Sequence, residues 1–168
     1  MKFGILTISD RSAKGELEDL SGPRLAERII RNGGEIVRQL IVPDDLVKII
    51  AVLTEWADSV QMDVILTCGG TGFSPRDVTP EATQAVIEKP APGIAEAIRS
   101  ESLKITPHAM LSRATAGIRK RTIIINLPGN PKGALEGFEV IYSALPHAVQ
   151  LLHGDENAEK GHKFSTFV

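Results

Sequence analysis

Cysteine is almost missing from this chain. Of 168 residues only Cys68 carries a thiol, so no intramolecular disulfide can form, and a reducing cytoplasm is the expected setting. Aromatic residues are nearly as scarce, at 4%. Binding single-stranded nucleic acid by stacking bases on Phe, Tyr or Trp is therefore not expected. An excess of positive charge is lacking too: the formal net charge is −2, which gives no global attraction to nucleic acid or to an anionic membrane surface. Apolar runs stay well short of the roughly 20 residues of a membrane span, and the N-terminus lacks the layout of a signal peptide. Internal repeats, low-complexity tracts and linkers are absent. What remains is the composition of one globular domain, with 42% hydrophobic and 24% charged residues. It is assigned to residues 1–153, followed by a polar, frayed tail over 154–168.

Apolar bursts alternate with amphipathic segments along that domain. Phe3 to Ile8 is nearly continuous in apolar side chains, the pattern of a strand buried on both faces of a parallel sheet. Asp10 to Ser21 is polar and without period, and reads as a loop. Pro23 then starts a helix whose stripe is Leu25, Ala26, Ile29 and Ile30, ended by Gly33-Gly34. Glu35 to Val42 reads as a second strand. After the break at Pro43-Asp44-Asp45, Leu46, Ile49, Ile50, Leu53, Trp56, Ala57 and Val60 recur at helical spacing. Met62 to Cys68 and Thr122 to Leu127 are the third and fourth strands. Thr79 to Ile87 and Gly93 to Ser102 read as helices, and the stretch from Ile105 to Arg121 carries no clear period. A final helix runs through Ala134, Phe138, Ile141 and Leu145 and should kink or split at Pro146. The alternation predicts an α/β fold, a three-layer α/β/α sandwich with a mostly parallel central sheet.

In such sheets ligands collect at the carboxyl ends of the strands. The informative sequence lies at two of those ends. Strand-to-helix junctions usually take about two to six residues, yet Gly69 to Val78, in "GGTGFSPRDV", puts ten between Cys68 and the helix start at Thr79-Pro80. Gly69, Gly70 and Gly72 admit positive φ and let a ligand approach the main chain, whose N–H groups can form an anion nest. "LPGNPK" is a shorter version of the same arrangement: Asn130 can cap, Pro131 fills the first helical position, and the helix dipole faces the same rim. Together the two starts make a phosphate site; two well-capped ordinary turns are the plainer alternative. Neither loop is a P-loop or a dinucleotide fingerprint, because no Gly-Lys-Ser/Thr closes either one and G-G-T-G does not match G-x-G-x-x-G.

Two acids belong to the same rim, Asp77 in the glycine loop and Asp44 at the turn after Val42. Side by side near a phosphate site they would repel unless a divalent cation such as Mg²⁺ lay between them. Each also has an ordinary role open to it: a helix cap for Asp44, and an ion pair with Arg76 for Asp77.

"ISDRS", "VPDD", "LTCGGTGFSPRDVTPEAT", "SLKITPHAMLSRATAGIR" and "LPGNPKG", in order over roughly residues 3 to 152, together resemble the molybdopterin adenylyltransferases of molybdenum-cofactor synthesis. These are the MogA-like proteins and the G domain of gephyrin-type fusion proteins. The resemblance implies a MogA-like α/β fold, usually trimeric, that binds Mg-ATP and molybdopterin, attaches AMP to the pterin's terminal phosphate with release of pyrophosphate, and hands the product to a molybdate-insertion protein. It implies catalytic roles for Asp44, Asp77 and Ser112, the serine on the pterin side, with Asp44 and Asp77 orienting Mg²⁺. Nucleotide contacts would come from Gly69, Gly70, Thr71, Gly72, Pro128, Gly129 and Asn130, and Ser9, Asp10, Thr79, Glu81 and Asn126 would line the site. Arg76, Arg113 and Lys132 are candidate cations.

Other conspicuous residues have plainer readings. Cys68 ends a buried strand and is expected to be a small core residue. His108, His147, His153 and His162 lack zinc-like spacing. Arg119-Lys120-Arg121 reads as a solvated turn, and Trp56 as core or subunit interface.

Overall fold

The computed structural model describes residues 1–59 and 62–155. Six strands form one sheet in the order β2-β1-β3-β6-β5-β4. They are β1 (Lys2–Ile8), β2 (Glu35–Val42), β3 (Val64–Cys68), β4 (Lys89–Pro90), β5 (Ala116–Arg119) and β6 (Thr122–Leu127). β2, β1, β3 and β6 run parallel, while β5 pairs antiparallel with β6, and β4 with β5. The helices are α1 (Asp10–Ala13), α2 (Ser21–Arg31), α3 (Leu46–Ser59), α4 (Thr79–Val86), α5 (Pro92–Leu103), α6 (Pro131–Tyr142) and α7 (Leu145–Leu152), with a 3₁₀ turn over Pro107–Leu111.

Successive side chains of a strand point to opposite faces, so one apolar run supplies two cores. Phe3 and Ile5 of β1, Val64 and Leu66 of β3, and Ile123 and Ile125 of β6 pack with Leu25 and Ile29 of α2 and with Phe138 and Ile141 of α6. Leu6, Ile65 and Ile124 face the other way, onto Ile49, Leu53 and Trp56 of α3 and Ala82 and Val86 of α4. The three expected layers are thus present. Trp56 is core, 1% exposed. A Cβ on Gly4 would stand 2.9 Å from its ring, so the glycine in β1 makes room for the indole.

Several expectations change in detail. The stretch read as a loop from Asp10 holds one helical turn, α1, because Ser9 caps it: the Ser12 N–H donates to Ser9 Oγ at 3.2 Å. α2 begins at Ser21 rather than Pro23, since Asp19 Oδ1 accepts from the N–H groups of both Ser21 and Gly22. The unassigned stretch from Ile105 to Arg121 holds the 3₁₀ turn and β5, and β4 was not foreseen. Pro146 does split the last helix, sitting in the first turn of α7. The expectations for Val60 and for the tail beyond Asp155 lie outside the described residues.

Candidate functional site

The parallel register puts the carboxyl ends of β1, β3 and β6 side by side, with Thr7 opposite Cys68 and Cys68 opposite Leu127. The loops leaving them therefore meet. The Gly69 N–H donates to Leu127 O at 3.2 Å, and a Cβ on Gly129 would lie 3.1 Å from Gly69 Cα. Gly69 has φ +111° and its own Cβ would fall 2.2 Å from Ile8 O, so three strand ends are packed through one position that tolerates no side chain. Gly70, at φ +62°, continues the turn.

The loop is held open from outside. Thr79 Oγ1 donates to Gly69 O at 2.8 Å, and the Thr79 N–H to Gly70 O at 3.1 Å. Arg113 donates from its backbone to Thr71 O, from Nε to Gly72 O at 2.7 Å, and from Nη2 to Asp77 O at 2.6 Å, and it also pairs with Glu81. With the carbonyls tied back in this way, the N–H groups of Gly70, Thr71, Gly72, Gly129 and Asn130 donate to no group among the described residues. N–H groups left without acceptors where two loops meet are the raw material of an anion-binding concavity. Beside them Asn130 caps α6, its Oδ1 accepting from the Gly133 N–H at 2.7 Å, so the positive end of that helix faces the same space.

The acids gather at this rim. Asp10 and Asp44 exchange a reciprocal pair of bonds: the Asp10 N–H donates to Asp44 Oδ2 at 2.8 Å, and the Asp44 N–H to Asp10 Oδ1 at 3.1 Å. Arg76 grips Asp10 with Nε at 3.0 Å and Nη2 at 2.8 Å. That guanidinium holds the Asp10 carboxyl below the usual carboxylate range. Asp44 is shifted the other way, pushed up by burial and by the negative charges of Asp10 and Asp77. Asp77 Oδ2 accepts from the Ser74 N–H at 2.9 Å. Both plainer roles are thereby filled by other residues. Asp45 caps α3, accepting from the Lys48 N–H at 3.0 Å, and Arg76 pairs with Asp10 rather than Asp77.

A Cβ on Gly70 would come 3.1 Å from Asp44 Oδ1, and one on Gly72 would come 2.9 Å from Asp77 Oδ2, so the glycine loop passes against both carboxylates. Their mutual repulsion and all-oxygen character fit a hard divalent cation. Among the described residues no group of three or more His, Cys, Asp or Glu side chains forms a ready cage.

A cavity of about 390 Å³ opens on the other side of the glycine loop, between Thr71, Gly72, α5, the 3₁₀ turn and the start of α6. Ser112 lines it. Its segment is held by Arg99, whose Nη1 donates to Ala114 O at 2.7 Å. Arg99 went unremarked in the sequence, where an arginine in "EAIRSES" looks like any helix-surface cation.

The remaining site candidates are distributed as follows. Pro128 lines the cavity. Ser9 is engaged in the α1 cap. Thr79 and Asn126 are fully buried. The Asn126 amide donates to Thr67 Oγ1 at 3.0 Å and Thr83 Oγ1 at 2.8 Å and accepts from the Thr115 N–H at 3.2 Å, so its side chain is engaged within the protein. Glu81 and Arg113 are occupied with each other and the loop. Lys132 reaches into solvent, 77% exposed. Burial pushes the Cys68 thiol up to about 12, with the charge of Asp19 adding to it, so this sulfur is a core group. Arg119 and Lys120 both pair with Asp58.

Comparison with known proteins leads to the same chemistry. The family described as "Probable molybdopterin binding domain" matches residues 4–147. The molybdopterin adenylyltransferase of Helicobacter pylori is 44% identical over 157 residues, covering 91% of this chain and 88% of that protein. The molybdenum cofactor synthesis protein cinnamon of Drosophila melanogaster is 46% identical over 158 residues, and the match spans 26% of its length. The crystal structure of a molybdopterin biosynthesis enzyme, MoaB, from Thermus thermophilus superposes with a TM-score of 0.86 at 46% identity, covering 91% of this chain and 96% of that one. No helix among the described residues is long and apolar enough to cross a membrane. By the extent of the family match and the identity to full-length relatives, this chain belongs to the molybdopterin-binding domain family of molybdenum cofactor biosynthesis.

Proposed function

We propose that the protein is a molybdopterin adenylyltransferase, transferring AMP from Mg-ATP to the terminal phosphate of molybdopterin. The observation that carries the reading is the convergence, on one rim, of the amide-lined loops 69–72 and 127–130 with the carboxylates of Asp44 and Asp77. Relatives bearing that name supply the substrates.

An oxygen of the pterin phosphate attacks the α-phosphorus of ATP. The bond from that phosphorus to the bridging oxygen of the β-phosphate breaks, and pyrophosphate leaves. Both reactants are anions, so the protein's tasks are alignment and charge neutralisation. The N–H groups of Gly70, Thr71, Gly72, Gly129 and Asn130 hold phosphate oxygens without reorganising, because Thr79 and Arg113 have already fixed the carbonyls. Asp44 and Asp77 would hold Mg²⁺, which when bound neutralises triphosphate charge as a Lewis acid. Asp10 keeps Asp44 oriented, and Arg76 keeps Asp10 from adding its full charge to the pair. The cavity lined by Ser112 takes the pterin, next to the nucleotide across Thr71 and Gly72.

The reading extends to a cytoplasmic homotrimer that passes its product to a molybdate-insertion protein. The likeness to MogA-like proteins supports this, together with exposed apolar side chains such as Leu40 and Ile41 on the edge strand β2 and Phe73 and Met110 near the site. Purified protein mixed with molybdopterin and Mg-ATP should release pyrophosphate and yield an AMP-linked pterin. Tight pterin binding without product would make it a binding module instead, and ATP binding indifferent to pterin would make it a nucleotide-binding regulator. Analytical ultracentrifugation tests the trimer.

A further inference from the structure

The cavity beside the glycine loop draws its apolar lining from Ile98, Ile105, Ala109, Leu111 and Pro128. Its polar wall is largely committed elsewhere. Arg99 donates to Ser112 O and Ala114 O, the Asn130 oxygen caps α6, and Thr106 Oγ1 accepts from the His108 N–H. Ser102, Lys132 and Glu136 are the exceptions, and of these Glu136 brings the negative charge. Glu136 is the one acid lining the cavity, its side chain is 38% exposed, and its partner among the described residues is Lys132 Nζ at 3.7 Å, beyond hydrogen-bonding distance.

Helical spacing aims it there. Asn130, Gly133 and Glu136 line the cavity at three-residue steps, and Glu136 is turned roughly 140–160° around α6 from the buried Ala134, Phe138 and Ile141. Glu136 lies six residues beyond Asn130, about 9 Å along the axis at 1.5 Å per residue. The wall therefore runs in a fixed order: phosphate-binding loop, then cap, then carboxylate.

A pterin presents the matching order. Its 2-amino-4-oxopyrimidine ring lies at the end of the fused rings farthest from the phosphate arm, and its edge carries two parallel donors, the ring N3–H and the 2-amino group. Two parallel donors match the two oxygens of one carboxylate, as in a bidentate guanidinium pair. We propose that Glu136 is the specificity-determining residue of the cavity, accepting both hydrogen bonds from the amino-pyrimidine edge of the pterin. This rests on the reading of molybdopterin as substrate. Lys132 exchanges a distant ion pair for solvent when the pterin docks, so binding costs little there.

The test compares two ring probes on the wild-type protein by calorimetric titration: 6-hydroxymethylpterin and its 2-oxo counterpart, 6-hydroxymethyllumazine. The 2-oxo ring turns a donor into an acceptor facing the carboxylate, so the pterin should bind at least roughly tenfold more tightly. Glu136→Gln should lower affinity for molybdopterin and for the pterin probe about 10- to 100-fold, collapse the discrimination, and leave ATP affinity and the unfolding midpoint as in wild type. Equal binding of the two rings by wild type, or unchanged molybdopterin affinity in the variant, overturns the assignment of Glu136 while AMP transfer by wild type still stands. If wild type neither binds pterin nor releases pyrophosphate, the functional reading falls and takes this inference with it. Should the variant fail to fold, the comparison of rings on wild type decides alone.

Discussion

Asp44 and Asp77 are fixed by different means, and the difference sets what a substitution does. Asp77 is held by one bond from the Ser74 N–H to Oδ2, which an asparagine oxygen also accepts. Asp77→Asn should therefore leave the unfolding midpoint unchanged while pyrophosphate release falls on the order of a hundredfold, the scale of removing one electrostatic element from a phosphoryl site. Turnover near wild type would show that the carboxylate charge is not used. Arg76 acts one step removed. Its two bonds to Asp10 support the reciprocal Asp10–Asp44 pair, so Arg76→Gln should cost about 10- to 100-fold in activity, as is usual for a partner that orients a ligand. If Arg76 only orients, raising the Mg²⁺ concentration should recover much of that loss, and a loss insensitive to Mg²⁺ would argue that the guanidinium meets substrate directly. The acids at the rim were readable from the sequence, since each follows a strand end. Which partner each takes was not, because an Asp-Asp pair before a helix offers two equal candidates for the cap and only the backbone decides for Asp45.

The elements that carry the site were legible where their period was long and less so where they were short. α3 and α6 announce themselves by apolar side chains at three- and four-residue steps, and β3 and β6 by continuous apolar runs. β4 is two residues long and contains a proline, and β5 has four residues including Gly117, whose Cβ would sit 2.8 Å from Lys89 O. Neither has the length or composition for a pattern to show; β5 is fixed by antiparallel pairing to β6, and the edge strand β4 by antiparallel pairing to β5. The β5–β6 turn is tied to α3 by Asp58, which Arg119 and Lys120 hold well below the usual carboxylate range through hydrogen bonds and then charge. A carboxylate whose folded value is depressed stabilises the fold above its unfolded value, and that contribution is lost as pH falls through the folded one. Asp58→Asn should thus lower the unfolding midpoint at neutral pH and converge with wild type in strong acid, with AMP transfer unaffected. A constant difference across the titration would mean the bonds act by shape and not by charge.

At the scale of the molecule, the two sides of the sheet do different work around a single crevice. β6 illustrates this. Ile123, Ile124 and Ile125 fill both cores, and Asn126 then joins β3 and α4 through Thr67 and Thr83 before the chain emerges at Leu127. The resemblance implied that Asn126 lines the site. Its side chain is instead committed to a buried network that ties β6 to β3, to α4 and to the Thr115 backbone. Sequence could not separate the two tasks, because an asparagine at a strand end suits a ligand and a buried network equally well. Asn126→Ala removes three hydrogen bonds and leaves buried partners unmet, a loss on the order of 3 kcal/mol. For a chain of this size that lowers the midpoint by roughly 6–12 °C at about 2–4 °C per kcal/mol, while the folded fraction should keep turnover within a few-fold of wild type. The crevice itself makes a separate demand on the whole fold: if loops after β1, β3 and β6 close on one nucleotide, Mg-ATP must slow amide exchange in all three together. Residues 9–14, 69–79 and 127–133 should gain protection in a single titration with one apparent affinity, while the opposite end of the sheet, around Lys120 and His153, stays unchanged. Protection confined to one loop would separate the amide cradle from the acids and leave Asp44 and Asp77 without a common substrate.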